Sequence, residues 1–194
     1  SPPPTSRSVD ATEREVKRRA ALEHIRQWGD PVLKMSTGPV TAFDEALAHQ
    51  AARMADLMEG AIGSGLAAPQ VGILQRMFVY RPELGAPISA VVNPVIEEAS
   101  EETAPDLEGC LSLQGVAVIV ERPVAVRVRA QAVDGSDLVL EREGHEARIL
   151  QHELDHLDGV LMLDRTVPEH KRAALRALRD GAAMQIVPAE QSAD

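Results

Sequence analysis

Residues 152–156 have the clearest chemical potential in this chain, because they read HELDH, an H-E-x-x-H motif. On a helix, residues four positions apart project from one face, so His152 and His156 can hold one divalent metal ion between them. Glu153 would then lie beside that ion, where a carboxylate can take a proton from water without being a ligand. The motif predicts a metal-dependent hydrolase, and the competing interpretation is an acidic surface helix with solvated histidines.

A catalytic metal site of this type needs a third protein ligand and one open position for water. Asp164 and Glu169 lie downstream, and either would indicate an ordinary zinc protease, but each is also typical of a solvated surface charge. Cys110 is the only cysteine, and a thiolate binds zinc or ferrous iron well. A lone cysteine is more often a small buried apolar residue, so the choice depends on the sequence around it.

Cys110 lies in the second of three short blocks that follow one another along the chain. Residues 63–70 read GSGLAAPQ, residues 108–112 read EGCLS and residues 151–156 read QHELDH. These blocks resemble the three signature motifs of the peptide deformylases, G-x-G-L-A-A-x-Q, E-G-C-L-S and Q-H-E-x-D-H. The resemblance covers roughly residues 24–168, and three ordered motifs are far more specific than one.

The resemblance implies a metal-dependent enzyme that removes the formyl group from the N-terminal formyl-methionine of nascent peptides and releases formate. It implies one divalent metal ion, bound by Cys110, His152 and His156. Ferrous iron is the usual native ion of the family, and zinc, nickel or cobalt can occupy the site.

The resemblance also implies roles for the residues around the metal. Glu153 would move the proton, while the Gln70 side-chain amide and the Leu111 backbone N–H would hold the oxyanion of the tetrahedral intermediate. Main-chain pairing with the peptide and an apolar methionine pocket are expected from a further set: Ser64, Gly65, Leu66, Gly109 and Ile149. Glu108, Ser112 and Arg122 are expected to be structural, and Asp155 either supports the ligands or is a solvated charge.

The chain departs from the family pattern at positions that concern peptide binding. Gln114 stands where a proline is common, Ala117 stands about where many bacterial members have an arginine, and Ser64 replaces a branched residue. These changes keep two alternatives open. One is a related metallohydrolase that acts on another N-formyl or N-acyl substrate, and the lesser one is a non-catalytic binding protein on the same fold.

Composition limits the class of protein. With 194 residues, the chain is long enough for one well-buried domain and short for two. The net charge of −10, from 20 basic and 30 acidic residues, disfavours nonspecific binding to nucleic acid or to an anionic membrane. Few aromatic residues are present for stacking on single strands. We therefore expect no membrane and no sequence-specific nucleic-acid partner.

The sequence also suggests a compartment. A single cysteine allows no internal disulfide, which is typical of a reducing cytoplasm. The N-terminal residues lack the apolar segment of a signal peptide, and no run of about 18 apolar residues predicts a membrane-spanning helix.

The elements that must position the motifs form an α+β fold, with small antiparallel β-sheets around a central metal-binding helix. We predict a disordered extension over residues 1–9, a single catalytic domain over 10–182 and a flexible tail over 183–194. Helices are predicted over 10–28, 41–62, 145–157 and 168–180. Strands are predicted over 77–80, 88–96, 116–120, 124–133 and 138–141, with loops over 63–72 and 97–106.

Two of these helices carry more specific expectations. In 41–62, Thr41 is predicted to cap the helix, and an apolar stripe is predicted to face the core: Phe43, Leu47, Met54, Leu57, Met58 and Ile62. In 168–180, several cationic side chains stand out in an acidic chain: Lys171, Arg172, Arg176 and Arg179. They are typical of a solvated helix face, and ribosomal RNA is the alternative partner.

Overall fold

The computed structural model describes residues 6–181, which form five α-helices, a five-stranded sheet and a two-stranded sheet. The helices are α1 (Ser6–Leu22), α2 (Glu45–Gly60), α3 (Gly144–Leu157), α4 (Met162–Arg165) and α5 (Pro168–Asp180). The strands are β1 (Gly65–Ala67), β2 (Met77–Tyr80), β3 (Ser89–Ala99), β4 (Thr103–Gly109), β5 (Ala117–Pro123), β6 (Ala125–Gln131) and β7 (Asp137–Glu143). The α+β fold class is confirmed.

The two sheets enclose α3. The larger sheet has the strand order β1-β2-β3-β6-β7, the smaller one pairs β4 with β5, and every pairing is antiparallel. Helix α3 contacts strands of both sheets. Every position from 147 to 157 along it is buried, except Asp155. A helix that is buried on nearly all sides must be central, so the predicted central helix is confirmed.

Strand β2 forms a wall between two apolar cores. Successive side chains of a strand point to opposite faces, and here both faces are covered. Met77 and Val79 join the core around α2, whereas Phe78 and Tyr80 join the core around α3. A third apolar cluster lies where β5 meets α4 and α5. The helix that carries the metal motif therefore packs against one face of the larger sheet.

Helix α2 differs from its prediction at both ends. The Asp44 side chain caps it by accepting a hydrogen bond from the Leu47 N–H at 3.0 Å, so the cap predicted at Thr41 was wrong. Leu47 and Met58 are buried as expected, but Ile62 is 46% exposed. The helix ends at Gly60 and Ile62 adopts a φ of 60°, which turns it out of the helical stripe.

Both predicted loops contain regular structure. Residues 63–72 include β1 and a short 3₁₀ helix, Ala68–Val71. The acidic segment 97–106 is mostly strand, because β3 runs to Ala99 and β4 begins at Thr103. Cross-strand ion pairs compensate the charge of Glu97, which accepts hydrogen bonds from Arg127 and Arg129 on β6. The pattern of like charges along the chain did not reveal these partners.

The terminal helices give one difference and one agreement. Helix α1 begins at Ser6, four residues before the predicted start, and ends at Leu22, six residues before the predicted end. Helix α5 has the predicted bounds and ends at Gly181 with a φ of 67°. Residues 1–5 and the tail predicted over 183–194 lie outside the described residues. Within 6–181, no helix combines the length and the apolar character that a bilayer crossing requires.

Candidate metal centre

Helix α3 and the loop after β4 bring three donor side chains together. The Cys110 Sγ lies 3.3 Å from the His156 Nε2, and the donor atoms of Cys110, His152 and His156 all lie within 4.8 Å of one another. Both imidazoles are buried, and Cys110 is half-buried. A thiolate and two imidazoles at this spacing suit a single divalent transition-metal ion.

Backbone contacts fix the loop that carries Cys110. The Leu113 N–H donates to the Cys110 carbonyl at 3.0 Å, and the Trp28 N–H donates to the Ser112 carbonyl at 2.8 Å. The Gln27 side-chain amide donates to the Leu111 carbonyl at 2.9 Å. The loop is therefore held from two directions.

Glu108 is the hub of a buried polar network on one side of the ligands. Its carboxylate accepts two hydrogen bonds from Arg122, at 2.6 and 2.8 Å, and one from Arg148 at 2.8 Å. It also lies 2.9 Å from the His152 Nδ1, which leaves Nε2 as the nitrogen available to a metal. Burial opposes ionisation, but hydrogen bonds with Arg122 and His152 hold the pKa of Glu108 far below its usual range.

The same network also holds Asp155, a residue of the third motif. Arg122 also donates to Asp155 at 2.9 Å, and Asp155 accepts two hydrogen bonds from Arg165. Asp155 is thus tied to the Glu108 hub through Arg122 and is not a freely solvated helix charge.

Glu153 lines the same cavity as Glu108 but lies in a different environment. Its carboxylate is 4% exposed, and Oε2 has no hydrogen-bond partner among the residues that the structure describes. Burial raises the pKa of Glu153 to about 7. A Cβ at Gly65 would lie 2.4 Å from the Glu153 Oε1, so a glycine at position 65 is what allows the carboxylate to lie there.

Two hydrogen-bond donors border the cysteine. The Gln70 Oε1 accepts from the Ala67 N–H at 2.9 Å, which turns Nε2 towards the Ser112 Oγ at 3.0 Å and the Cys110 Sγ at 3.6 Å. The Leu111 N–H donates to no acceptor in the described part of the chain. The Gln70 amide is therefore held by its surroundings, and the Leu111 N–H is available to an acceptor in the cavity.

A cavity of about 330 Å³ opens onto these groups. Its walls include Ser64, Gly65, Gly109 and Ile149, as the sequence predicted. Leu66 is not among them, because it is fully buried in the core around α2. Side chains alternate along β1, so the Leu66 side chain points away from the cavity, and its contact with substrate stays a prediction.

Sequence reasoning missed several of the cavity's lining residues: Ile62, Leu107, His145 and Arg148. Two of them carry a signal in the sequence. His145 and Arg148 precede His152 by seven and four positions, which places all three on one face of a helix. Leu107 and Ile62 depend on where β4 and the end of α2 lie, and the local pattern does not reveal this.

The fold and the site define a metallohydrolase class in which a central helix supplies two histidines and a glutamate beside a cysteine from a neighbouring loop. Comparison with known proteins identifies the family. The model of the family described as polypeptide deformylase matches residues 22–172, and the chain belongs to this family of metal-dependent enzymes.

Individual relatives agree over most of the chain. A peptide deformylase of Thermotoga neapolitana is 51% identical over 155 residues, which are 80% of this chain and 93% of that protein. The crystal structure of peptide deformylase from Thermotoga maritima has a TM-score of 0.71 at 47% identity and covers 74% of this chain and 97% of that one. The peptide deformylase structure from Thermus thermophilus has a TM-score of 0.75 at 42% identity, with 81% and 93% covered.

Proposed function

We propose that this chain removes the formyl group from the N-terminal formyl-methionine of nascent peptides and releases formate. The observation that supports this most strongly is the convergence of Cys110, His152 and His156 beside the buried carboxylate of Glu153. Membership in the deformylase family supplies the reaction, and the cluster supplies groups that suit it.

Cys110, His152 and His156 are proposed to hold one divalent metal ion, with ferrous iron as the native ion and zinc, nickel or cobalt as substitutes. The donor set fits these ions, since thiolate and imidazole are ligands that they share. His152 is already oriented for binding by its contact with Glu108. When bound, the metal supplies Lewis acidity, which lowers the pKa of water and polarises the formyl oxygen.

Glu153 is proposed to take the proton from the attacking water and to pass it to the departing amine. A general base works best when its pKa lies near the working pH, and burial raises the pKa of Glu153 to about 7. Its Oε2 has no partner within residues 6–181, so this oxygen is available to accept the proton.

Gln70 and Leu111 are proposed to stabilise the oxyanion that develops on the formyl oxygen when water attacks the formyl carbon. Donors that are fixed before the reaction need no reorganisation, and one such donor contributes about 3–4 kcal/mol in the best-studied case. The Gln70 amide is held by Ala67, and the Leu111 N–H follows directly after Cys110. Each lies next to the proposed metal ligand.

The peptide is proposed to bind along the edge of the larger sheet. Strand β1 is at that edge and, among residues 6–181, pairs with β2 alone, so its outer side can pair with an extended main chain. Gly65 and Gly109 have no side chains, so the peptide backbone can approach the cavity wall closely at these positions. Ile149 provides apolar surface for the methionine side chain.

The changed positions after the cysteine favour a second candidate, a related hydrolase for a different N-formyl or N-acyl substrate. Gln114 and Ala117 lie in the loop and the strand that follow Cys110. Relative rates on formyl-methionyl peptides, on other formylated amines and on an N-acetyl peptide separate the two candidates.

We also propose the cytoplasm as the compartment, because nascent peptides are the substrate. A separate proposal is that α5 contacts ribosomal RNA. Arg172 and Arg176 are exposed on α5, while Ala174 packs against β5, so the cationic face is turned outward. Pelleting with ribosomes, with and without residues 169–194, tests this contact. Equal pelleting of the two proteins would contradict it.

The decisive experiment is anaerobic turnover of formyl-Met-Ala-Ser by the ferrous enzyme, with Glu153→Gln in parallel. Formate release that the substitution abolishes supports the proposal. Absence of release from enzyme with one bound metal ion per chain would contradict it and favour the second candidate.

A further inference from the structure

Helix α1 lies almost entirely before the part of the chain that the family model matches, which begins at residue 22. It packs against α2 closely enough that a Cβ on Gly60 would lie 3.2 Å from the Ala21 Cβ. One of its side chains, Arg18, reaches the loop that carries Cys110. The family motifs by themselves do not account for this contact.

Two hydrogen bonds connect α1 to the cysteine loop. The Arg18 Nη2 donates to the Gln114 Oε1 at 2.8 Å, and the Gln114 Nε2 donates to the Leu111 carbonyl at 2.9 Å. The other end of the guanidinium donates to Glu15 at 3.2 Å. The Arg18 side chain is 34% exposed, so its guanidinium group lies at the boundary between the core and solvent.

The last acceptor of these two hydrogen bonds, the Leu111 carbonyl, belongs to a residue beside the proposed metal ligand Cys110. Leu111 lines the cavity and follows Cys110. The peptide group before Leu111 is held by the Leu113 N–H on the Cys110 carbonyl. The peptide group after it is held by Gln27 and Gln114 on the Leu111 carbonyl. With both flanking peptide groups held, the direction of the Leu111 N–H is fixed.

Gln114 can do this only if its own side chain is fixed. A glutamine amide rotates freely on the surface, and its rotamers must be restricted before its N–H can hold a carbonyl. The charged Arg18 donor supplies that restriction, because hydrogen bonds from charged donors are the stronger ones.

We propose that Arg18 is a positioning residue for deformylation, which acts through Gln114 to hold the Leu111 N–H in the direction needed by the oxyanion. The inference rests on the proposed role of Leu111. It also gives α1 a role at the active site, although none of its residues lines the cavity.

The test compares Arg18→Ala with Arg19→Ala in the ferrous holoenzyme, with formyl-Met-Ala-Ser as substrate. Arg19 is the matched control, because it is 76% exposed on the same helix and donates to the same Glu15. We expect Arg18→Ala to lower kcat about five- to tenfold with KM unchanged, since the lost contact acts on the transition state. Arg19→Ala should leave both constants unchanged.

Gln114→Glu separates positioning from general support of the fold. The new carboxylate keeps a partner for Arg18 but cannot donate to the Leu111 carbonyl. We expect a loss of kcat at least as large as in Arg18→Ala, with an unchanged melting temperature. Adding Arg18→Ala to Gln114→Ala should cause no further loss, because the two residues act in series. Wild-type kcat in Gln114→Glu, or additive losses in the double variant, would overturn the proposal.

Amide hydrogen exchange over residues 109–116 provides a readout that needs no turnover. Exchange should be faster in Arg18→Ala than in the wild type or in Arg19→Ala. Equal exchange in the three proteins would overturn the positioning role even if the enzyme is active. An inactive wild type with faster exchange in Arg18→Ala would contradict the proposed function and leave the positioning of the loop supported.

Discussion

Two carboxylates lie beside the candidate metal ligands, and they are buried to the same degree in contrasting environments. Glu108 is 5% exposed and Glu153 is 4% exposed. Glu108 contacts Arg122, Arg148 and His152, and its pKa is held far below the usual range against the effect of burial. Glu153 has an oxygen without a partner in the described chain, and burial raises its pKa to about 7.

Glu108 and Glu153 are the same residue type, so the different hydrogen-bond environments of their carboxylates account for their different roles. A carboxylate that accepts several charged hydrogen bonds stays ionised and holds its neighbours in place. A carboxylate that has been buried without such donors is poised to exchange a proton near neutral pH. The site therefore holds a structural carboxylate and a reactive carboxylate in the walls of the same cavity.

The largest expected effect comes from removing the reactive member of the pair. Glu153→Gln should lower kcat by about 10²–10⁴, the usual contribution of a general acid or base. The melting temperature should be kept or raised, because a buried carboxylate without partners has been removed. Formate release, measured with metal content, checks this. Activity within a few fold of the wild type would show that another group moves the proton.

Removal of the structural member should act on stability instead. Glu108→Gln should lower the free energy of unfolding by about 3–5 kcal/mol, because buried Arg148 loses its carboxylate partner and buried Arg122 keeps only Asp155. Metal affinity should also fall, by about 10–100-fold, since His152 loses its orienting partner. Urea unfolding and metal titration measure the two effects.

The matched control for that prediction is Glu97→Gln. Glu97 also binds two arginines, Arg127 and Arg129, but the pairs lie on the exposed face of the sheet, where solvent screens them. Its effect on unfolding should be far smaller. Equal losses in the two variants would show that burial is not what makes the Glu108 network strong.

A substitution at Gly65 tests whether the position of the Glu153 carboxylate matters for catalysis. Gly65→Ala would place a Cβ 2.4 Å from the Glu153 Oε1 and must displace the carboxylate. We expect kcat to fall on the order of tenfold to a hundredfold, as small misplacements do. Gly38→Ala is the control, because no atom lies within 4 Å of the new Cβ. Equal rates for both variants would mean that Glu153 moves at no cost to catalysis.

The smallest effect is expected at Asp164, a partly exposed counterpart of Glu108. Burial tends to raise the pKa of Asp164, but hydrogen bonds from Lys34 and from the Leu161 N–H outweigh it and lower the pKa. The carboxylate therefore stabilises the fold above its unfolded pKa of about 3.9, and this contribution is lost as the pH falls through the lower folded value.

Asp164→Asn should thus be less stable than the wild type at pH 7, by no more than about 1 kcal/mol because the pair is partly solvated. The difference should shrink as the pH falls below about 4, where the carboxylate begins to protonate. Urea unfolding at several pH values measures it. A difference that grows on acidification would show that the pKa of Asp164 is raised in the folded protein.

Local spacing was sufficient for much of the fold and for the centre of the site. His152, Glu153 and His156 lie within one helix, so their order along the chain already fixes their relative directions. Helix α5 was predicted with its observed bounds for the same reason, since Pro168 and Gly181 mark its ends locally. The three motifs also indicated the family before any contact was known.

Where the prediction of local structure was wrong, a distant or alternative partner decided the outcome. Most of the acidic segment 97–106 is strand, because β3 pairs with β6 as far as Ala99 and β4 pairs with β5 from Thr103 onward. Asp44, not Thr41, caps α2, although both residue types are competent caps. Leu66 points into the core because β1, in a segment predicted as a loop, imposes alternation.

The α+β class, the central helix and the set of reactive groups were predictable from the sequence, because the spacing within each motif is local and the three ordered motifs together indicate the family. Only the tertiary structure decided that Glu108 orients His152, that Gly65 makes room for Glu153 and that Arg18 of α1 meets Gln114. Such contacts join residues 44 to 96 positions apart, and they form only when separate elements pack against one another.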